Sequence, residues 1–239
     1  MTITGEDFRH LARAVRIREG ETIRVSVADE DTSLGEENYF AEIAAVLDDR
    51  IEAFIMEKAP DTECPCDIYL FQAIPKGDRI ETIIEKCTEL GVKEIIPVEM
   101  KYCVVRLDDK KKKKRIERYQ TIAETAARQS KRSRVPVIRD VMTFEEALEY
   151  ASSMDVKLLP YENENGMASL TEALDMVEAG KSVSIMIGPE GGFADEEIAA
   201  ADRIEGMQRI SLGSRILRTD TAAIAAVTAV MLKAEIGRK

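Results

Sequence analysis

The sequence predicts an α/β protein with a parallel sheet, joined to a small β-rich unit at its amino end. Over residues 67–239, short apolar runs alternate with helical patterns, which is typical of βαβ units. Two of these runs end in glycine-containing loops that lead into helices, an arrangement found where α/β sheets bind ligands. Residues 1–58 contain short strands with polar turns, which favours a small β-barrel. Residues 59–66 have two prolines and no periodicity, so we expect them to link two domains.

The first domain opens with a predicted helix over 8–15, whose apolar residues recur at helical spacing. Three strands are predicted to follow, over 21–28, 39–47 and 52–56. Arg9, Arg13 and Arg16 recur at spacings of four and three, so an α-helix would place them on one side, with His10 nearby. Two interpretations stay open, a face that contacts phosphates and a solvated face beside the acidic residues of 29–49.

The second domain alternates strands with helices along its whole length. Its predicted strands cover 67–74, 94–99, 135–138, 156–160, 183–187 and 207–212. Its predicted helices cover 78–91, 110–130, 143–151, 169–177, a segment that begins at 195, and 221–236. Thr143 and Ser169 each precede a glutamate by three residues, which predicts a capping box at the start of two of these helices.

The composition indicates a globular protein without a membrane segment. Apolar residues make up 45% of the 239 residues, and no apolar run approaches the roughly 18 residues of a membrane span. The first 21 residues lack the apolar region of a signal peptide, so we expect a cytoplasmic protein. Cys64 and Cys66 are separated by one residue, and the sequence has a single histidine, so we expect reduced thiols and no metal site.

The charge is distributed unevenly, although the net charge is −11. Residues 101–139 hold 14 Lys/Arg and 4 Asp/Glu, a local charge of +10 inside an otherwise acidic chain. Within this segment the cluster Arg128, Lys131, Arg132 and Arg134 favours contact with RNA phosphates. The alternative is a solvated surface, which is the usual role of a charge run.

The loop Gly188-Pro189-Glu190-Gly191-Gly192 indicates a nucleotide-like ligand of a particular kind. Its spacing fits neither a P-loop nor a dinucleotide fingerprint. Glu190 would repel a pyrophosphate but would tolerate a neutral adenosine or a cationic sulfonium, which favours S-adenosylmethionine over NAD or ATP. The alternative is a tight turn with an exposed glutamate.

Four motifs resemble those of the bacterial 16S ribosomal RNA uracil-N3 methyltransferases, a family of the SPOUT class. They are KGDRIETIIEKCTELGVKEIIPV (76–98), AARQSKRSRVPVI (126–138), IGPEGGF (187–193) and LGSRILRTDTA (212–222). The resemblance implies a carboxyl-terminal domain with a deep trefoil knot that holds S-adenosylmethionine, and a PUA-like RNA-binding barrel before it. It also implies that Lys76 contacts RNA, and that a glycine usually stands where this chain has Lys131. Because family members usually begin with a strand that this chain lacks, we expect the barrel to miss its first strand.

The resemblance further implies that three loops surround the cofactor. The cofactor-binding residues would be Leu159, Pro160, Tyr161, Ile187, Gly188, Pro189, Glu190, Gly191, Gly192, Leu212, Gly213, Ile216, Leu217, Arg218, Thr221 and Ala222. Backbone groups would contact the adenine, and Leu212, Ile216 and Leu217 would supply apolar walls.

Methylation of uracil N3 needs a base for its proton and a group that stabilises negative charge on the uracil oxygens. Arg218 is the candidate for the second role, since its planar fork suits a carbonyl or a phosphate. Glu190 is the first candidate base and Asp220 the second, because the family usually has glutamate where Asp220 stands. Alternatively, Arg218 binds only phosphate, and Asp220 only caps the last helix.

The resemblance implies that the partner is 16S ribosomal RNA or the small ribosomal subunit, and that the enzyme is a homodimer formed at the knot. The last helix, 221–236, is apolar on nearly all sides, so we expect another surface to cover it, which also favours a dimer. Three alternatives stay open: a SPOUT enzyme that acts on ribose or another RNA, a non-catalytic RNA-binding assembly factor, and an unrelated Rossmann-type nucleotide enzyme.

Overall fold

The structure, a computed structural model, describes residues 1–27, 37–104, 109–162 and 167–236. The chain divides into two compact units, residues 1–62 and 63–239. The boundary falls inside the predicted connection, and residues 63–66 belong to the second unit. Among the described residues, no helix has both the length and the apolar character needed to cross a bilayer.

The first unit is an antiparallel sheet with one helical segment. Its elements are β1 (Thr2–Ile3), α1 (Gly5–Arg9), a π-helical stretch (His10–Val15), β2 (Thr22–Val27), β3 (Glu37–Val46) and β4 (Ile51–Lys58). The strands lie in the order β1-β4-β3-β2. Phe8, Ile17, Ile43 and Ile51 fill its core. The short β1, which pairs with β4 before the first helix, was not predicted from the sequence.

The predicted α-helix over 8–15 is wrong beyond Arg9. Residues 10–15 form a π-helix, and Arg16 adopts the left-handed conformation with φ of 59°. An α-helical spacing therefore does not place Arg9, Arg13 and Arg16 on one face. These three side chains and His10 are nevertheless all exposed.

The second unit is built on a parallel sheet, as predicted. Its strands are β5 (Asp67–Ala73), β6 (Glu94–Glu99), β7 (Val137–Ile138), β8 (Met142–Thr143), β9 (Val156–Pro160), β10 (Ser182–Ile187) and β11 (Met207–Ile210). They lie in the order β11-β9-β10-β5-β6-β7, with β8 also on β6, and the pairs are parallel. The helices are α2 (Arg79–Glu89), α3 (Asp109–Gln129), α4 (Phe144–Ser152), α5 (Ala168–Asp175), α6 (Asp195–Ala201) and α7 (Thr219–Ile236).

The sheet is covered on both faces because successive strand residues point to opposite sides. Ile185 and Ile187 pack with α2, α3, α5 and α7, whereas Met186 packs with α4 and α6. The strands therefore consist of almost uninterrupted apolar residues, which is why their positions could be predicted from the sequence.

The two predicted capping boxes have different outcomes. The box at Thr143 is confirmed, since its hydroxyl accepts from the Glu146 amide and Glu146 accepts from the Thr143 amide. The box at Ser169 is wrong: α5 begins one residue earlier, and the Ser169 hydroxyl instead accepts from the Ser211 amide at 3.4 Å.

Candidate functional site

The sheet topology brings the three predicted cofactor loops together at the carboxyl-terminal ends of the strands. The strands β11, β9 and β10 are neighbours and run parallel, so their carboxyl ends emerge together. The loops that follow Pro160, Ile187 and Ile210 therefore lie side by side, where open α/β sheets bind their ligands.

Specific contacts join these loops to one another. The Tyr161 amide donates to the carbonyl of Ile210 at 3.0 Å. A Cβ atom added at Gly192 would lie 3.4 Å from a carboxylate oxygen of Glu162. The Thr219 hydroxyl donates to the carbonyl of Gly188 at 2.9 Å. Each loop thus contacts another, and the three form one continuous surface.

Glycine is required in the second loop by close packing and by backbone conformation. A Cβ at Gly188 would lie 3.0 Å from the Phe193 ring, and one at Gly191 would lie 3.0 Å from Cβ of Tyr102. Gly192 has a φ of 73°, which side chains rarely adopt. The glycines bring the backbone close to its neighbours without side chains in between.

A buried hydrogen-bonded chain supports this loop from beneath. Gln72, at the end of β5, donates from its amide to the Thr219 hydroxyl at 3.0 Å, and that hydroxyl donates to Gly188. Gln72 is fully buried and Thr219 is 5% exposed. The chain connects β5, the start of α7 and the glycine loop. Removal of its central hydroxyl would leave the buried Gln72 amide with only the Ala73 carbonyl as acceptor and would take the hydroxyl donor from the Gly188 carbonyl.

Glu190 is held by groups from the loop after β5. Its carboxylate accepts from the Arg79 guanidinium at 3.0 Å and from the Lys76 backbone amide at 3.1 Å. The Lys76 side chain is exposed. Because both contacts fix the carboxylate against the segment that leads into α2, the geometry favours a structural role for Glu190.

Asp220 and Arg218 lie where α7 begins. Oxygen Oδ1 of Asp220 is buried and lacks a hydrogen-bond partner among the described residues. Arg218 is exposed, and its backbone carbonyl accepts from Ala222 in the first turn of the helix. A buried carboxylate oxygen without a hydrogen-bond partner destabilises a fold. Such an atom is therefore a candidate for binding a ligand or for accepting a proton during catalysis.

The remaining predicted cofactor residues lie in different environments. Leu159 and Ile187 are buried in the core, so only their backbone groups can face a ligand. Leu212 packs against the core, whereas Ile216 is 87% exposed and forms no apolar wall within one chain. Pro189 is buried. The other predicted residues are half-buried or exposed to solvent: Pro160, Tyr161, Gly213, Leu217, Thr221 and Ala222.

The basic cluster after α3 contains one structural residue. Arg132 is buried and donates to the Glu63 carboxylate at 2.6 and 3.1 Å and to the carbonyls of Thr88 and Val92. The prediction that Arg132 contacts RNA is therefore wrong in this conformation. Exposed positions are occupied by Arg128, Lys131 and Arg134.

Lys131 has a φ of 61°, the left-handed conformation. Glycine adopts positive φ angles without steric cost, which explains why a glycine is favourable at this position.

The cysteines behave as core residues. All four are free thiols, and Cys66, Cys87 and Cys103 are buried. Burial raises the pKa of the Cys87 and Cys103 thiols, which disfavours the nucleophilic thiolate.

A second polar cluster lies at the opposite edge of the sheet. Glu94, the first residue of β6, accepts two hydrogen bonds from Arg139 and one from the Tyr150 hydroxyl. Burial and this hydrogen bond raise the pKa of Tyr150. The adjacent groove, of about 440 Å³, is acidic and lies away from the loops described above.

Sequence reasoning missed Glu63, Gln72 and Arg79. Gln72 carried a local signal, since it is the one amide side chain inside a buried apolar strand. Glu63 and Arg79 carried none, because their partners lie 69 and 111 residues away in the chain.

Comparison with known proteins agrees with this geometry. An RNA methyltransferase domain family matches residues 62–231, so the chain belongs to the RNA methyltransferases of that family. The ribosomal RNA small subunit methyltransferase E of Bacillus subtilis is 35% identical over 241 residues, with 99% of this chain and 91% of that protein covered. More particularly, the chain therefore belongs to the family of ribosomal RNA small subunit methyltransferase E.

Solved structures give the same relationship. A ribosomal RNA small subunit methyltransferase E from Neisseria gonorrhoeae, bound to S-adenosyl methionine, has a TM-score of 0.76 and 33% identity, and the match covers 96% of this chain and 90% of that one. A methyltransferase from Legionella pneumophila with the same cofactor has a TM-score of 0.78 and 29% identity, with 98% and 92% covered.

Proposed function

We propose that the protein methylates N3 of a uridine in 16S ribosomal RNA, with S-adenosylmethionine as methyl donor. The observation that carries the proposal is the set of three joined loops at the carboxyl ends of β9, β10 and β11, with glycines at closely packed positions. The family relationship and the cofactor of its structural neighbours support the choice of donor and substrate.

The loop residues fit this cofactor. Gly188, Gly191 and Gly192 carry no side chains of their own, and close packing against neighbouring side chains holds their backbone in place, which suits recognition of an adenine edge by backbone groups. The unsatisfied Asp220 oxygen supplies an acceptor at the start of α7, next in the chain to Thr219, whose hydroxyl donates to the Gly188 carbonyl. The same carboxylate would repel a pyrophosphate, so a neutral nucleoside with a cationic sulfonium remains the better ligand.

The reaction requires the protein to position two reactants and to move one proton. The bound cofactor supplies an activated methyl group. Uracil N3 must lose its proton before it attacks, and we assign this step to Asp220 ahead of Glu190, because Arg79 already neutralises Glu190. The exposed guanidinium of Arg218 would stabilise the negative charge that develops on a uracil oxygen.

The proposal includes three features of the assembly. The segment through β9, α5, β10, β11 and α7 would form the trefoil knot, and the first unit would act as a PUA-like RNA-binding barrel. A homodimer would cover the exposed apolar residues Ile216, Leu232 and Ile236, which are 87%, 49% and 82% exposed in one chain. Exposed basic residues of both units, among them Arg9, Arg13, Arg128 and Lys131, would bind RNA phosphates.

Two measurements test the function. Calorimetry of the purified protein with S-adenosylmethionine should detect binding, and mass mapping of 16S ribosomal RNA from a deletion strain should reveal a uridine that lacks an N3 methyl group. Methylation of ribose or of another RNA in that comparison would contradict the assigned substrate. Failure to bind the donor would instead support a non-catalytic RNA-binding factor.

Replacement of Thr219 with valine should weaken cofactor binding about tenfold, together with a loss of stability of about 1–3 kcal/mol. Valine keeps the shape but removes the hydroxyl that joins Gln72 to the Gly188 carbonyl. Calorimetric titration and thermal unfolding measure the two effects. Thr228→Val is a matched control, since within the described part of the chain that hydroxyl bonds to the Ile224 carbonyl of its own helix and to no other group. Equal cofactor affinity in both variants would contradict the role of Thr219.

A further inference from the structure

The turn that follows β6 is fixed in place and presents an aromatic side chain. The turn closes through the Cys103 amide, which donates to the Met100 carbonyl at 3.1 Å. The Lys101 amide donates to the buried Glu197 carboxylate of α6 at 2.8 Å, and the Lys101 ammonium pairs with Glu196. These bonds hold the turn on both sides, so Tyr102 at its tip has a defined position.

Tyr102 borders the glycine loop of the proposed cofactor site. A Cβ atom at Gly191 would lie 3.0 Å from Cβ and 3.5 Å from Cγ of Tyr102. The tyrosine is nevertheless 47% exposed, and the Lys101 ammonium lies 5.8 Å from its ring centroid. A large aromatic residue at the rim of a ligand site, anchored by bonds of its two chain neighbours yet open to solvent, is not explained by core packing.

We infer that Tyr102 is a positioning residue on which the target uracil stacks. The inference rests on the proposed methylation of a uridine. Enzymes that modify a base take it out of its stack, and proteins receive such unstacked bases on aromatic side chains. A base stacked on Tyr102 would be held beside Gly191 and hence beside the loop assigned to the cofactor.

The absence of tryptophan from the sequence allows a direct test. Tyr102→Trp creates a protein with a single tryptophan, and stacking with a base should quench its fluorescence when oligouridylate is added. Met176→Trp is the control, since Met176 is similarly exposed, at 43%, but lies between α5 and the amino end of β10, whereas the proposed site lies at the carboxyl ends of the strands. Quenching at position 102 alone supports the inference, whereas no quenching, or equal quenching at both positions, overturns it.

Kinetics separate stacking from a purely structural role. Tyr102→Leu should raise the KM for RNA about 5- to 150-fold, the range of a lost base–aromatic contact, while Tyr102→Phe keeps the wild-type value. Cofactor affinity and melting temperature should stay unchanged in both variants. Equal kinetics for the leucine and phenylalanine variants would overturn the inference. A wild-type protein that binds the cofactor but methylates no uridine would instead contradict the proposed function itself.

Discussion

Replacement of Arg132 with alanine is expected to lower the free energy of unfolding by about 3–5 kcal/mol. The guanidinium is buried, with 3% of its side chain exposed, and it pairs with Glu63, whose side chain is 9% exposed. Removal of the cation would take the buried Arg132 partner away from the Glu63 carboxylate. It would also remove one donor from the Val92 carbonyl and one of the two donors, Arg132 and the Gly91 amide, from the Thr88 carbonyl. Denaturant titration of the purified protein, followed by circular dichroism, measures the change.

The second oxygen of Glu63 extends the effect to the loop after α3. It accepts from the Ser133 amide, the Ser133 hydroxyl and the Arg134 amide at 2.9–3.1 Å. The pair therefore holds the basic segment against the end of α2. Because Glu63→Ala and Arg132→Ala both remove the Glu63–Arg132 pair, their double variant should lose less stability than the sum of the two.

Arg128→Ala provides the matched control for this experiment. Arg128 belongs to the same basic cluster but is exposed, so its replacement should change stability by less than about 0.5 kcal/mol. A small loss of stability in Arg132→Ala, together with weaker RNA binding, would contradict the structural assignment and restore Arg132 to the predicted RNA surface.

Arg132 also shows where sequence reasoning reaches its limit. The four basic residues of its cluster look equivalent in the sequence, and only a carboxylate 69 positions earlier in the chain distinguishes one of them. Burial of a charge depends on such long-range pairing, which local pattern does not encode. By contrast, the parallel strands were predictable, because burial on both faces requires continuous apolar runs such as 183–187.

The first helix shows a different limit. Apolar residues at spacings of three and four indicate which side of a helix faces the core. They do not show that the α-helix ends at Arg9 and continues as a π-helix from His10. The left-handed Arg16 that ends the segment is not indicated by its residue type either. Consequently the sequence correctly predicted that Phe8 faces the core. The prediction that the exposed arginines lie on one face of an α-helix is wrong.

At the site, the loops were predictable and their internal contacts were not. The glycines and the flanking strands indicated where a ligand would lie, and the resemblance indicated which one. The ranking of the two candidate bases depended on Arg79 and Lys76, which reach Glu190 from a loop more than 100 residues away. These contacts are our reason for proposing Asp220 ahead of Glu190 as the base.

Replacement of Asp220 with asparagine is expected to lower kcat for uridine methylation by about 10²- to 10⁴-fold, the usual contribution of a positioned general base. Asparagine has nearly the same shape as aspartate but cannot take a proton from uracil N3. Binding of S-adenosylmethionine should weaken much less than kcat falls, because the backbone of the glycine loop is unchanged. Single-turnover methylation of 16S ribosomal RNA and calorimetry with the donor measure the two quantities separately.

Two further variants decide between the candidate bases. Asp220→Glu restores a carboxylate, and with it the residue usual in the family, so this variant should regain activity and the rise of kcat with pH that a base produces. Glu190→Gln should mainly affect cofactor affinity, since it loosens the contacts with Arg79 and Lys76 that hold the glycine loop. If Glu190→Gln abolishes kcat while Asp220→Asn retains it, the proton is taken by Glu190, and Asp220 serves only the first turn of α7.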